Sequence, residues 1–130
     1  MRKRATAVVI RDGKVLLVRD KGLVAFSLPG GEIERGEATV SAVARELREE
    51  LGLNSIKVTR LPGCDYKGSV NLHKVCRVQA EGEPHPRREV DKFIWWDIKE
   101  PITIAVYAHV NGILKRVLEH DTNGEGDENP

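Results

Sequence analysis

The first quarter of the chain contains short runs of β-branched and aliphatic residues, which are typical of β-strands. Residues 5–10 (ATAVVI) and 14–19 (KVLLVR) are β-rich runs, and the Asp12-Gly13 pair between them favours a hairpin turn. Residues 23–28 predict a third strand. We expect it to stop at Pro29-Gly30-Gly31, because this triplet does not continue a regular strand.

The pattern then changes to helical spacing. After a polar loop at residues 32–36, apolar residues recur every three or four positions and predict a helix over residues 38–51. Gly52 lies where a left-handed residue commonly ends a helix. The apolar stripe of this helix consists of Val40, Val43, Leu47 and Leu51.

The second half of the chain predicts three more strands and a closing helix. The strands are expected at residues 55–61, 72–80 and 92–97, with a polar, turn-rich loop (EGEPHPRRE) at residues 81–89. Helical spacing returns over residues 104–120, although the glycine of Asn111-Gly112 costs about 1 kcal/mol relative to alanine inside a helix. Strands with one early and one late helix predict an α/β fold with a mixed sheet.

Residues 121–130 (DTNGEGDENP) contain no apolar side chain, so we expect a disordered acidic tail after a single domain at residues 1–120. The 130-residue chain is 40% hydrophobic and 32% charged, with a net charge of +1. This balance excludes a protein that relies on non-specific attraction to nucleic acid. No apolar run is long enough to cross a bilayer, and no signal peptide is evident.

Cysteine usage agrees with this picture. Cys64 and Cys76 lack CxxC spacing and are too few for a disulfide framework, so we expect small buried thiols. A cytoplasmic location is the default expectation, with no membrane and no nucleic acid among the partners.

The first chemical feature is the stretch RELREELG at residues 45–52. On a helical wheel, Glu46, Glu49 and Glu50 fall on one face, opposite the apolar stripe. Like charges three or four residues apart repel by a few tenths of a kcal/mol. A solvated helix face is one explanation of this cluster. The other is a hard cation such as Mg²⁺, which takes oxygen ligands and often shares them with phosphates.

The surrounding residues favour the second explanation. Residues 31–53 match every defined position of the motif G-x5-E-x7-R-E-U-x-E-E-x-G-U, where U is aliphatic. This is the motif of the Nudix hydrolases, so the chain resembles that family and its MutT-like members. The resemblance is looser elsewhere and rests on Leu28 to Gly31, the Trp95-Trp96 pair and the closing helix. It implies an α/β/α sandwich with the catalytic helix after a glycine-rich loop.

The resemblance also implies an activity: hydrolysis of a nucleoside diphosphate linked to another group, with Mg²⁺ or Mn²⁺ bound. By this resemblance Glu49 and Glu50 are metal ligands, and Glu46 is a ligand or the general base. The carbonyl of Gly30 is a further expected ligand. The supporting ion pair of the loop and helix is expected between Glu37 and Arg45.

Relatives often draw one more carboxylate from a late loop. In residues 81–89 we expect Glu89 to act as base or extra ligand, ahead of Glu81 and Glu83. An acidic residue that is merely solvated is the open alternative for each.

Aromatic residues are candidates for stacking on a nucleobase. Phe26 is the best placed, with Tyr66 and Trp95 behind it, and core packing is the open alternative for all three. The four histidines show no metal-ligand spacing, so we expect surface or satisfied side chains at His73, His85, His109 and His120.

Substrate and assembly stay open. Chain length and the EGEP loop favour a (d)NTP pyrophosphohydrolase of MutT-like type. ADP-ribose, another nucleotide sugar and a dinucleoside polyphosphate are the alternatives. A nucleotide-sensing module without turnover is an alternative of another class, although the intact motif argues against it. A homodimer is compatible with the sequence, but no segment specifies an interface.

Overall fold

The computed structural model describes the backbone of residues 1–128 and the side chains of residues 1–122. Its elements are seven strands, two α-helices and a short 3₁₀ helix, Pro62–Cys64. In chain order the strands and helices are β1 (Arg2–Arg11), β2 (Lys14–Asp20), β3 (Gly30–Glu32), α1 (Thr39–Leu51), β4 (Asn54–Arg60), β5 (Tyr66–Lys67), β6 (Asn71–Glu81), β7 (Val90–Asp97) and α2 (Ala108–Glu128).

The sheet is mixed, as the sequence predicts. Its main path runs β4-β6-β1-β2-β7, while β3 pairs with β1 and β5 pairs with β6. The predicted hairpin joins β1 to β2 with positive φ angles at Asp12 and Gly13, the backbone that a tight hairpin turn requires. Strands β1 and β6 are parallel, and the other pairs are antiparallel.

The predicted third strand at residues 23–28 is wrong in position. Phe26 and Ser27 make only isolated bridges, to Val106 and Val18. The strand lies instead at Gly30–Glu32, where Gly30 pairs with Thr6 of β1. The Pro29-Gly30-Gly31 triplet does not end a strand, because the backbone of β3 at Gly30 requires a glycine. Gly30 has φ +148°, and a Cβ would overlap the carbonyl oxygen of Ala5.

Helix α1 confirms the predicted stripe. Its buried residues pack on one face of the sheet, and Gly52 ends the helix at φ +66° with its N–H on the carbonyl of Arg48. The buried side chains are Ala42, Val43, Leu47 and Leu51, and Val40 packs beside them.

Helix α2 covers the other face with Val110, Ile113, Leu114 and Val117, and it begins four residues later than the spacing predicts. Phe26 donates its N–H to Ala105 O at 2.8 Å and accepts from the Tyr107 N–H at 3.0 Å. These bonds hold the backbone before Ala108 extended.

The end of α2 also differs from the prediction. The sequence predicts disorder from Asp121, but Asp121 is helical and accepts a hydrogen bond from Arg77 Nε at 2.8 Å. The Thr122 hydroxyl donates to Leu118 O. The contact between Arg77 and Asp121 thus lies in a part of the helix where hydropathy gives no signal. The helical backbone continues to Glu128, and residues 129–130 lie outside the described residues.

Both cysteines are buried and free, as predicted. Among the described residues, no helix combines the length and the apolar character needed to cross a membrane.

Candidate active site

Arg45 is the centre of the acidic helix face. Its Nε and Nη2 donate to the two carboxylate oxygens of Glu37 at 2.8 and 2.9 Å. Its Nη1 lies 2.6 Å from Glu46 Oε1 and 3.3 Å from Glu49 Oε2. Nη2 also donates to the carbonyl of Glu32 at 3.0 Å. One guanidinium thus ties the glycine-rich loop to two carboxylates of α1.

The predicted ion pair between Glu37 and Arg45 is therefore present. Hydrogen bonding from Arg45 lowers the pKa of Glu37 to about 2, and the same bond raises the pKa of Arg45 above its usual range. Both groups stay charged at neutral pH. Planar, two-pronged pairing of this kind fixes the orientation of both side chains, so Arg45 holds Glu46 in a defined place.

Gly31 brings the loop against the carboxylate of Glu46. A Cβ at this position would lie 2.5 Å from Glu46 Cδ and 2.6 Å from Oε2. Contacts that short do not occur in proteins, so a side chain at residue 31 would displace Glu46. The first glycine of the motif is thus required by the close approach of loop and helix.

Glu50 is in a different environment from Glu49. Burial, and after it the neighbouring Glu46 carboxylate, raise the pKa of Glu50 to about 8. Its Oε1 atom is buried and has no hydrogen-bond partner among the described residues. A buried polar atom normally has a partner. This oxygen is an exception.

The Gly30 carbonyl, a predicted metal ligand, lies beside the carboxylates. It accepts a hydrogen bond from Arg4 Nη2 at 3.1 Å. The charge of Arg4 also reaches Glu50, where it partly offsets the effect of burial on the pKa. Arg4 is a site residue that the sequence analysis missed. Its only signal was its place in the basic start of the chain.

Residues 81–89 place an arginine, not the expected glutamate, against the helix carboxylates. Arg88 Nη1 lies 3.0 Å from Glu49 Oε2, and Arg88 has φ +55°. The loop is anchored to α1 by the Arg87 N–H on Glu50 O and the His85 N–H on Leu51 O, both at 2.8 Å. Glu89 is exposed, and its charge contributes to the raised pKa of Asp20.

Of the other two loop glutamates, Glu83 is exposed and pairs with Arg11 at 3.9 Å, and Glu81 is exposed at the end of β6. Neither side chain forms a hydrogen bond or an ion pair with the glutamates of α1 among the described residues.

The three aromatic candidates are not equivalent. Phe26 is 7% exposed in the core on the α2 face, with the Arg19 guanidinium 5.7 Å from its ring centre. Trp95 packs against the core on the α1 face, with Arg11 over its ring at 4.9 Å. Core packing, the open alternative, thus describes both positions. Tyr66 lines a cavity on the α2 face.

The donor set fits a hard cation, although the side chains are not gathered around one. Within residues 1–122, no three acidic, histidine or cysteine side chains meet in a metal-binding arrangement. Guanidinium groups contact Glu46 and Glu49, and Glu50 Oε1 is buried with no hydrogen-bond partner among the described residues. Carboxylate and carbonyl oxygens are the ligands that Mg²⁺ and Mn²⁺ prefer.

Comparison with known proteins identifies the family. The NUDIX domain model matches residues 1–117, most of the 130-residue chain. The chain belongs to the NUDIX domain family. The resemblance that the motif predicts is thereby confirmed.

A solved structure and two curated proteins illustrate the relationship. A nudix hydrolase family member from Chromobacterium violaceum matches with a TM-score of 0.84 and 28% identity, covering 98% of this chain and 86% of that one. This likeness confirms the predicted α/β Nudix fold.

The 8-oxo-(d)GTP phosphatase of Mycolicibacterium smegmatis is 28% identical over 97 residues, which are 72% of this chain and 30% of that protein. The ADP-ribose pyrophosphatase of Methanocaldococcus jannaschii is 43% identical over 49 residues, 35% of this chain and 29% of that protein. The matched region thus spans less than a third of either curated relative.

Proposed function

We propose that this Nudix protein hydrolyses a pyrophosphate bond in a nucleoside diphosphate derivative, with Mg²⁺ or Mn²⁺ as cofactor. The observation that carries the proposal is the buried, unpartnered Glu50 Oε1 beside Glu46. Two carboxyl groups in one partly buried site are costly unless a proton or a cation compensates them. A bound divalent cation supplies that charge and lowers the pKa of bound water.

The site residues are assigned to hold the cation, to orient Glu46 or to accept a proton. Glu46, Glu49, Glu50 and the Gly30 carbonyl would hold the cation. Arg45 and Glu37 orient Glu46, since Arg45 contacts both carboxylates at less than 3 Å.

A carboxylate then takes the proton of the attacking water. The water oxygen bonds to phosphorus as the bridging P–O bond breaks. Glu46, Glu49 and Glu89 are the proposed candidates for this proton transfer. Glu46 has the best-defined position because Arg45 contacts its carboxylate and Gly31 leaves room for it. Glu89 is tested by Glu89→Gln: full turnover at saturating metal would remove it from the mechanism.

We propose a (d)NTP as the substrate, with the nucleotide the only expected small-molecule partner. The relationship to an 8-oxo-(d)GTP phosphatase over 72% of the chain supports this choice. ADP-ribose is the second candidate, supported by the more identical but shorter match to an ADP-ribose pyrophosphatase. Phe26, the candidate for substrate contact from the sequence, is 7% exposed and therefore offers little ring surface to a nucleobase.

A hydrolysis panel tests the proposal. The common (d)NTPs, 8-oxo-dGTP, ADP-ribose, nucleotide sugars and diadenosine polyphosphates would be assayed with Mg²⁺ and with Mn²⁺, beside the Glu50→Gln variant. We expect one strong substrate and its loss in the variant. No turnover, combined with tight nucleotide binding, would favour a sensing module.

Metal binding is tested separately by thermal unfolding without substrate. We expect Mg²⁺ or Mn²⁺ to raise the melting temperature of the wild type more than that of Glu49→Gln, because a ligand that binds only the folded state stabilises it. Equal shifts would contradict the assigned metal site.

A further inference from the structure

A second polar feature lies on the α2 face of the sheet, apart from the glutamates of α1. It is a cavity of about 590 Å³ between β5, the turn after it and the start of α2. We call it the histidine cavity. Its principal lining residues are Tyr66, Val70, Asn71, His73, Tyr107 and His109.

The inner wall of the histidine cavity contains two stacked imidazoles. His73 is 3% exposed, and its Nδ1 lies 2.9 Å from the hydroxyl oxygen of Thr6. The ring of His109 stacks on that of His73 with centroids 4.2 Å apart and planes 20° apart. His109 Nε2 is buried and has no hydrogen-bond partner among the described residues. Since buried polar atoms are normally paired, this nitrogen can pair with a hydrogen-bonding group of a ligand in the cavity.

The histidine cavity has exposed apolar side chains among its lining residues, beside the exposed Lys67 and Ser69. Tyr107 is 40% exposed, and its ring lies within 11° of parallel to His109 at 6.0 Å. Val70 of the same cavity is 61% exposed. Exposed apolar surface lining a cavity is typical of a ligand site. A flat, polar-edged molecule matches both the rings and the unpaired nitrogen.

The histidine cavity is close enough to the carboxylates for one ligand to reach both. Strand β1 lies between β3 and β6, so Gly30 and His73 are separated by two strand spacings, roughly 10 Å. Arg4 is paired with His73 in the β1–β6 register, and its guanidinium donates to the Gly30 carbonyl at 3.1 Å. Arg4 therefore links the two sites.

We propose that the histidine cavity binds the nucleobase of the substrate, with the base stacked on Tyr107 and its edge hydrogen-bonded to His109 Nε2. The inference rests on the proposed function, because it takes the ligand to be a nucleotide whose phosphates lie at the carboxylates. His73 and Thr6 are positioning residues, because His73 stacks on the His109 ring and Thr6 hydrogen-bonds to His73. The assignment moves base recognition from Phe26 to Tyr107, just before α2, and His109 of α2.

The test is binding of nucleoside monophosphates compared with a ligand that lacks the base. Calorimetry would measure AMP, GMP, CMP, UMP and ribose 5-phosphate against the wild type, His109→Phe, Tyr107→Ala and the exposed control His85→Phe. His109→Phe keeps a ring but removes the nitrogen. We expect the wild type to bind its preferred monophosphate at least about tenfold more tightly than ribose 5-phosphate. Each cavity variant should lose about tenfold of that preference, and His85→Phe should lose none.

Hydrolysis then separates this inference from the proposed function. If the wild type hydrolyses a nucleotide but its KM for different bases is unchanged in both cavity variants, the nucleobase assignment is wrong and the proposed function stands. If base-dependent binding is present and no substrate is turned over, the proposed function fails and the assignment stands.

A measurement on the wild type covers the case in which a variant does not fold. Titration of the preferred monophosphate should shift the ring NMR signals of His109 and His73 and leave those of His85 and His120 in place. Unchanged signals at His109 under saturation would overturn the proposal.

Discussion

The carboxylate face of α1 and the histidine cavity are built in opposite ways. The first comes from one continuous segment, in which Glu46, Glu49 and Glu50 share a helix face and Arg45 of the same helix contacts two of them. The second joins Thr6, His73 and His109 from β1, β6 and α2. A site within one helix can be recognised from spacing. A site assembled across a sheet depends on topology.

The two regions also differ in charge, although burial shifts pKa values in both. Burial raises the pKa of Glu50 to about 8 and lowers that of His73 to about 4 and that of His109 to about 3. In each case the neutral form is favoured, as desolvation requires. The glutamates of α1 form a cluster of carboxylates, whose negative charge a cation would offset. The histidines are neutral at pH 7 and suit an uncharged, hydrogen-bonding partner.

The largest expected effect is on turnover when the carboxylate face is altered. Glu49→Gln and Glu50→Gln should each lower kcat/KM by more than about 100-fold, because outer-sphere changes at metal sites already cost 10- to 100-fold. Steady-state kinetics on the best substrate would measure this. The exposed Glu119→Gln on α2 is the control. Near-normal activity in both site variants would remove the carboxylate face from the chemistry.

Arg45→Lys should cost less, roughly 10- to 100-fold in kcat/KM. Lysine keeps the charge but cannot contact Glu37 with two nitrogens and Glu46 with a third. We expect Arg48→Lys, one turn away, to be neutral. A lysine variant as active as the wild type would show that charge suffices and that orientation by Arg45 is unnecessary.

Gly112→Ala tests the support of the histidine cavity. Helix propensity favours alanine by about 1 kcal/mol, but the new Cβ would lie 2.8 Å from Tyr66 Cδ2 and closer to Cε2. We expect a net loss of about 1–3 kcal/mol in the free energy of unfolding, because overpacking displaces the Tyr66 ring. Urea denaturation would measure it, with the exposed Asn111→Ala as control. A stabilised variant would contradict the close packing of Tyr66 on α2.

The smallest expected effect is a pH dependence of stability from the two buried histidines. Their folded-state pKa values lie below the ordinary value near 6.5, so the unfolded chain binds more protons as pH falls below that value. The histidines should therefore lower the free energy of unfolding as the pH falls from about 7 to 4, while Glu50, whose folded-state pKa is raised, contributes in the opposite direction. His109→Phe should show a shallower decrease, and His85→Phe an unchanged one. Identical slopes in the two variants would show that His109 is not buried as described.

The comparison also explains which predictions held. Two β-rich runs around Asp12-Gly13 predicted the β1–β2 hairpin, and the Val43-Leu47-Leu51 stripe with Gly52 predicted α1 to within a residue of its start. These elements are determined locally. The strand at Gly30–Glu32 and the late start of α2 were missed, because Gly30 is held by β1 and residues 105–107 by Phe26.

Site predictions follow the same division. The glutamates of α1 were recognisable because a helix brings residues four apart together, and the Glu37–Arg45 pair was implied by the resemblance to the Nudix motif. Arg88 at Glu49 and Arg4 at Gly30 were not, since their positions depend on how a loop and an edge of the sheet meet α1. Glu89, the predicted residue, is adjacent in sequence to Arg88, whose side chain contacts Glu49.

The sequence by itself determined the family, the two faces of α1 and the carboxylates offered to a cation, since all three are encoded at short range along one segment. Only the tertiary structure decided that Glu50 is buried with an unpartnered oxygen, and that His73 and His109 stack behind Tyr107. Burial and long-range contact depend on which strands become neighbours. The pairing of β1 with both β3 and β6 settles that here.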